Sequence, residues 1–281
     1  MKYGSGFSII EQDLTAVRDL AQTLDGAGFD FATLGGHILA AEQGRYEGRP
    51  PFTYIGPFHD HFVIFAYLSG VTTNIHFLSS IMILPLFPTA LVAKQAAELH
   101  YVSSGRFELG VGISWSPEEY EALGQNLKNR ANRMGEQVEL LRRFWKEPYV
   151  QFEGKYHKVD GLGLNRVPIE IPVWYGTSVE EQPVRRVAKH ADGWIPQGDF
   201  VPMMPRLREF MEAEGRNVAD LRIMGRIVAS PEGPSAWVAA AKAMQENGAT
   251  HLGIGAAPGT PPAEALKTIL EAKRVVSEAL G

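Results

Sequence analysis

The chain has 281 residues, 45% hydrophobic and 21% charged, the mixture of a compact globular domain and not of a disordered or fibrous chain. Its formal charge of −5 leaves no electrostatic footprint for nucleic acid, and zero Cys excludes disulfides, thiolate nucleophiles and Cys-held metals, so redox chemistry must come from a bound organic cofactor. No apolar run reaches the roughly 20 residues that cross a bilayer, and Met1 to Ile10 lacks the succession of a secretory signal, so no membrane partner and a cytoplasmic location are expected.

In chain order, short β-rich runs alternate with segments of helical period. Tyr3 to Ile9 reads as the first strand and Asp13 to Ala27 as a helix with Leu14, Val17, Leu20, Ala21 and Leu24 on one stripe. Phe29 to Leu34 is the second strand. The Gly/Pro/aromatic loop from Gly35 to Phe58 is longer than connectors in compact domains, and its part from Arg45 to Phe58 reads as a lid. An apolar helix through Phe62, Phe65 and Leu68 follows, then a third strand from Ile75 to Leu84 and a helix carrying Val92, Ala96, Leu99 and Val102.

Phe107 to Ile113 is the fourth strand. Ser116-Pro117-Glu118-Glu119 is a capping box with Pro at the first helical position. Arg130 to Lys146 aligns Met134, Val138, Leu141 and Trp145, and Val150 to Val167 is an inserted hairpin centred on Glu153-Gly154-Lys155. Ile171 to Tyr175, Gly193 to Pro196, Leu221 to Ala229 and His251 to Ile254 complete the strands, with helices between them and a last helix from Pro262 to Leu280.

Eight such units at roughly 35 residues each predict an α/β fold, a single (β/α)8 TIM barrel spanning 1–281. An open doubly wound sheet is the competitor. It lacks the Gly-x-Gly-x-x-Gly turn after the first strand.

In such a barrel the working groups stand where strands end. Those positions hold Phe7, His37, Ile81 to Leu84, Gly112 to Trp115 and Gly176-Thr177-Ser178. His37 has the one side chain that ordinarily titrates near neutral pH, although a His beside Gly35-Gly36 also suits a plain loop. Ser178-x-x-Glu181 allows either a phosphate-binding helix start or a capping box. His59-Asp60-His61 has the spacing of a metal-binding pair but stands at a helix start, so no metal site is expected. Trp145, Trp174 and Trp194 read as packing, whereas Trp115 follows a Gly-x-Gly and faces the expected site.

Leu84-Pro85-Leu86-Phe87-Pro88, Ala93-Lys94-Gln95, Ser104-Gly105-Arg106-Phe107, Gly110-Val111-Gly112, Ser116-Pro117-Glu118-Glu119 and Ala191-Asp192-Gly193-Trp194 together resemble the luciferase-like monooxygenase superfamily. The resemblance implies a flavin or deazaflavin at the C-terminal ends of the strands. The ring would rest on a third-strand bulge near Ser80, Ile81 and Met82, often with a non-prolyl cis peptide. The phosphate would meet Gly112, Ile113, Ser114, Trp115, Gly176, Thr177 and Ser178. FMN-using members place Arg where this chain has Ile113, so coenzyme F420 is favoured and FMN is the alternative.

His37 matches a His that deazaflavin members set beside the ring. Sugar-phosphate dehydrogenases of the family carry Glu where this chain has Trp115, which puts that substrate in doubt. The expected activity is hydride transfer between F420 and a small, apolar organic molecule, with His37 handling the proton and Phe7, Phe52 and Tyr54 contacting the substrate. An FMN monooxygenase and a non-catalytic ligand-binding barrel are the rival readings. The resemblance also implies a homodimer and allows a separate reductase as coenzyme partner.

Overall fold

The computed structural model describes residues 1–7, 13–40, 59–164 and 167–281. The elements run β1 (Lys2–Gly6), α1 (Leu14–Gly26), β2 (Phe31–Leu34), α2 (His61–Ser69), β3 (His76–Ser79), β4 (Met82–Ile83), α3 (Thr89–Val102), β5 (Phe107–Gly112), α4 (Pro117–Ala122) and α5 (Arg130–Lys146). They continue as β6 (Val150–Glu153), β7 (Lys158–Leu162), β8 (Val173–Ser178), α6 (Glu181–His190), β9 (Gly193–Gln197), α7 (Met204–Ala213), β10 (Arg222–Ala229), α8 (Pro234–Glu246), β11 (His251–Ala256) and α9 (Pro262–Leu280).

The sheet order is β3-β2-β1-β11-β10-β9-β8-β5-β4, and β3 also pairs with β5, so the sheet closes on itself. Every pairing in it is parallel. Since β3 and β4 are halves of one interrupted strand, the closed wall has eight staves, the expected (β/α)8 barrel. The only antiparallel pair among the described residues, β6 with β7, is the inserted hairpin.

Side chains alternate across each stave. Phe31, Leu78, Trp174, Ile195 and Met224 pack inside the barrel, while a far larger cluster, including Phe77, Phe107, Val138, Leu141 and Tyr175, fills the layer between wall and helices. The α5 stripe behaves as the spacing requires, with Met134, Val138, Leu141 and Trp145 all buried. On α1, Val17, Ala21 and Leu24 are buried, but Leu14 at the first position is half exposed. A helix can leave the terminal position of its stripe beyond the neighbour that would cover it.

The Ser104-Gly105-Arg106 turn shows how local sequence sets a stave. Ser104 and Gly105 take positive φ (56° and 84°) to end α3. Arg106 then donates to the carbonyls of Ser103 (2.7 Å) and Ser69 (2.8 Å) and to Thr72 Oγ1 (3.0 Å), tying α2, α3 and β5 together.

Candidate active site

The C-terminal ends of β2, β4, β5, β8 and β9 surround a cavity of about 540 Å³, within the range of small-ligand sites. Its wall includes His37, Ser80, Ile81, Gly112, Ile113, Ser114, Trp115, Gly176, Thr177 and Ser178, ten positions that the sequence assigned to the site. Ile83, Met134, Tyr175, Pro183, Arg186 and Gln197 also line it.

The interruption of the third stave lies at Ser80–Ile81, where the peptide is cis. Both residues line the cavity, so the alternation of facing slips by one there. That slip corrects the expectation for Met82, which turns into the packed layer, 2% exposed, while Ile83 takes a place on the wall. Ile81 leans over the neighbouring staves β5 and β8. A Cβ on Gly112 would stand 2.6 Å from Ile81 Cδ1, and one on Gly176 2.4 Å from Ile81 Cγ2. These two glycines therefore make room for an isoleucine of the chain itself, and thereby keep the floor of the cavity flat and apolar.

Phe7 is also corrected. Gly4 faces the interior, since a Cβ there would run into the Phe31 ring, and three residues on the parity is reversed. Phe7 accordingly packs in the outer layer, with its N–H donating to the Thr33 carbonyl (2.8 Å), and is not on the cavity wall. Phe52, Tyr54 and the lid from Arg45 to Phe58 lie outside the described residues.

His37 stands just past β2 and is bound through Nδ1 to Glu119 Oε2 at 2.5 Å. The other carboxylate oxygen accepts from the N–H groups of Ile38 (2.8 Å) and Leu39 (3.2 Å). Burial alone would raise the Glu119 carboxyl, but the His37 hydrogen bond and charge, with the two amides, hold it below the ordinary range. An ionised Glu119 can only accept, so Nδ1 carries the proton and Nε2 is the nitrogen through which His37 can exchange one. Trp115 meets the imidazole edge-on at 5.9 Å between centroids.

Glu119 belongs to the candidate site through His37, a place that the sequence reading did not give it. Its motif reads as a capping box, and half of the box exists: Ser116 Oγ accepts from Glu119 N–H at 3.4 Å. The reciprocal bond is replaced by the reach to His37. No local signal pointed to His37, which is 82 residues away along the chain.

At the other end of the cavity, Ser178 is the last residue of β8 and does not cap α6, whose N-cap is Glu180 without a side-chain bond. The capping-box reading of Ser178 and Glu181 is thus set aside. Pro183 falls within the first turn, where a missing N–H costs nothing. Thr177 Oγ1 accepts from Trp194 Nε1 (3.0 Å), leaving its O–H to donate elsewhere. Ser114 has φ 54°, uncommon for a residue with a Cβ, and Tyr120 O–H holds the adjoining Ile113 carbonyl at 2.7 Å. Arg186 is the only Lys or Arg among the described residues lining the cavity. The Tyr175 hydroxyl is buried with no hydrogen-bond partner among the described residues, and burial pushes its pKa above the phenolic range.

His59-Asp60-His61 is a helix start. Asp60 Oδ1 accepts from Val63 N–H at 2.9 Å, and His61 Nε2 donates to the Leu34 carbonyl at 3.1 Å. Burial lowers His61 to about 4. Among the described residues no group of His, Asp and Glu is arranged to hold a metal.

The family model for luciferase-like monooxygenases matches residues 3–275. The chain belongs to that family. A curated relative, the F420-dependent glucose-6-phosphate dehydrogenase of Mycolicibacterium fortuitum, is 31% identical over 221 residues, 72% of this chain and 61% of the relative. Among solved structures, an F420-dependent secondary alcohol dehydrogenase holding an F420–acetone adduct superposes with a TM-score of 0.79 at 14% identity, covering 98% of both chains. The monooxygenase RslO1 of Streptomyces bottropensis does so at 0.78 and 17% identity, covering 99% of both. At those identities the two structures speak for the fold alone. Members of the family are oxidoreductases and monooxygenases built on this barrel.

Proposed function

We propose that the protein is an oxidoreductase that uses coenzyme F420 to transfer a hydride to or from a small organic molecule. The observation that carries this reading is a single cavity with an apolar floor, a carboxylate-backed histidine at one end and anion-ready groups at the other. The floor formed by Ile81 and its flanking glycines fits a flat ring. Ser114, Thr177, Ser178 and Arg186 offer hydroxyl and guanidinium donors to a phosphate. Bound there, F420 would supply a hydride donor or acceptor at its C5.

The side chains do the rest. Trp115 and Ile83 exclude water, Glu119 fixes the His37 ring and its tautomer, and His37 Nε2 gives or takes the proton that accompanies the hydride.

Two features favour F420 over FMN. Ile113 occupies the position where flavin-using members carry an arginine. Arg186, the cation at the phosphate end, also borders a second groove of about 180 Å³ between α6 and α7 lined by Arg185, Lys189 and Glu214; Arg185 is paired with Glu181 at 2.7 Å, which leaves Lys189 and Arg186 to meet a longer anionic tail. The relative's dependence on F420 points the same way.

Titration of the purified protein with F420 and with FMN, read by coenzyme fluorescence, is the deciding experiment. Tighter F420 binding, with no oxygen uptake on reduction, is the expected result. Preference for FMN with oxygen consumption would establish the monooxygenase reading, and failure of both would leave a ligand-binding barrel. The same reading includes a homodimer, for which the exposed Val63 and Tyr67 of α2 and Leu91 and Tyr101 of α3 are suitable apolar contacts.

A further inference from the structure

Arg226 lies on β10 with its side chain inside the barrel mouth. On the same stave Met224 belongs to the interior cluster while Ile227 and Ala229 pack outward with Trp237 of α8, so the even positions face in. A Cβ on Gly253 of the neighbouring β11 would touch Arg226 Cγ at 3.6 Å. From there the guanidinium reaches to the third stave, where Nη2 stands 3.4 Å from Ser80 Oγ, a long hydrogen bond to a residue of the cavity wall.

No Asp or Glu among the described residues pairs with it. The other arginine facing the barrel interior from β10, Arg222, is held by Glu108 at 2.9 Å, which shows what a structural arginine looks like here. Enclosure by the wall lowers the Arg226 pKa below the usual value with no compensating carboxylate, although the residue keeps solvent access through the open mouth. The guanidinium therefore stands at the open mouth with no carboxylate of the described residues beside it, placed to receive an anion from solution.

We propose that Arg226, with Ser80 Oγ, anchors the carboxylate of a small organic substrate. A planar guanidinium takes a carboxylate by two parallel bonds. A single cation with one hydroxyl matches a monoanion better than a phosphate dianion, and Arg186, the cation on the described cavity wall, is already assigned to the coenzyme phosphate. Two residues along, Val228 faces the same mouth and is 51% exposed. Beside it, a Cβ on Gly255 would meet nothing within 4 Å. The substrate is therefore an apolar body bearing one carboxylate, which amends the expectation of a purely apolar molecule. Its placement beside the ring rests on the F420 reading; the anion site itself does not.

Calorimetric titration with benzoate, its neutral isostere benzamide, and inorganic phosphate tests the site without turnover. The wild-type protein is expected to bind benzoate more tightly than either of the others. R226Q should weaken benzoate at least tenfold and leave benzamide unchanged. R226K should fall between, since a point charge lacks the fork. Melting curves show that each variant is folded, and F420 titrations should be the same in all three proteins. Undetectable benzoate binding, equal affinity for benzoate and benzamide, or an unaltered R226Q would overturn the proposal; tighter phosphate binding would overturn the carboxylate. Loss of F420 binding with benzoate binding intact would remove the coenzyme reading and leave this one standing.

Discussion

The two ends of the barrel use charged side chains in opposite ways. At the end where the strands begin, Glu108 accepts from Trp174 Nε1 (2.6 Å) and Arg222 Nη1 (2.9 Å), with His76 at ion-pair distance, 3.7 Å. His251 packs edge-on against Trp174 at 4.9 Å, and large rings close the bore. At the end where the strands finish, glycines replace the rings, a cavity opens, and Arg226 has no acidic partner among the described residues. At the first end Glu108 is surrounded by donors and holds the cylinder; the second carries open positions that a ligand can fill. The difference shows that charge burial by itself does not mark a site, because the more strongly perturbed carboxylate lies at the structural end.

The largest expected effect is at the open end. H37A should lower turnover by roughly 10²–10⁴-fold, the usual worth of a positioned acid or base, with coenzyme affinity nearly intact. A decrease in affinity of similar size would move His37 from proton transfer to binding. E119Q should give a smaller loss that depends on pH, because the neutral amide no longer supports a charged imidazole. An unchanged pH profile would reduce Glu119 to a loop anchor.

At the closed end, E108A should lower stability by about 2–3 kcal/mol, less than a fully enclosed pair because Arg222 is partly exposed. Coenzyme binding of the folded protein should not change. A denaturant melt gives the first quantity and a fluorescence titration the second; coupling between them would contradict the division of the barrel.

G176A should cost about 1–3 kcal/mol by overpacking against Ile81, and adding I81A should restore stability. If the single variant is neutral, Ile81 moves freely and the floor is not fixed.

The acid side of the stability curve separates two closed-end groups. Burial would raise Glu108, but His76, Trp174, Arg222 and His251 outweigh it and hold it at about 2, against an ordinary 4.5. Its contribution is complete above pH 4.5 and fades as the pH falls toward 2. Burial lowers His251 to about 4 from 6.5, so the unfolded chain takes up that proton first and stability declines as the pH falls from 6.5 to 4. Equilibrium unfolding at pH 7, 5 and 3 should show both losses, and H251Q should abolish the upper one while also reducing the lower, because His251 is among the groups that hold Glu108 down.

The sequence by itself determined the barrel, because periodicity and turn residues are local signals and eight βα units leave few ways to close. It also placed His37, Ser80, Ile81 and the Gly112 and Gly176 loops at the site, through strand ends and the resemblance. Only the tertiary structure decided which way Phe7 and Met82 point, since facing depends on a parity that one irregular peptide can reverse. It alone brought Glu119 to His37 across 82 residues and set Arg226 beside Ser80 across 146. Such pairings rest on the closure of the cylinder, and a local pattern contains no information about which staves come to face one another.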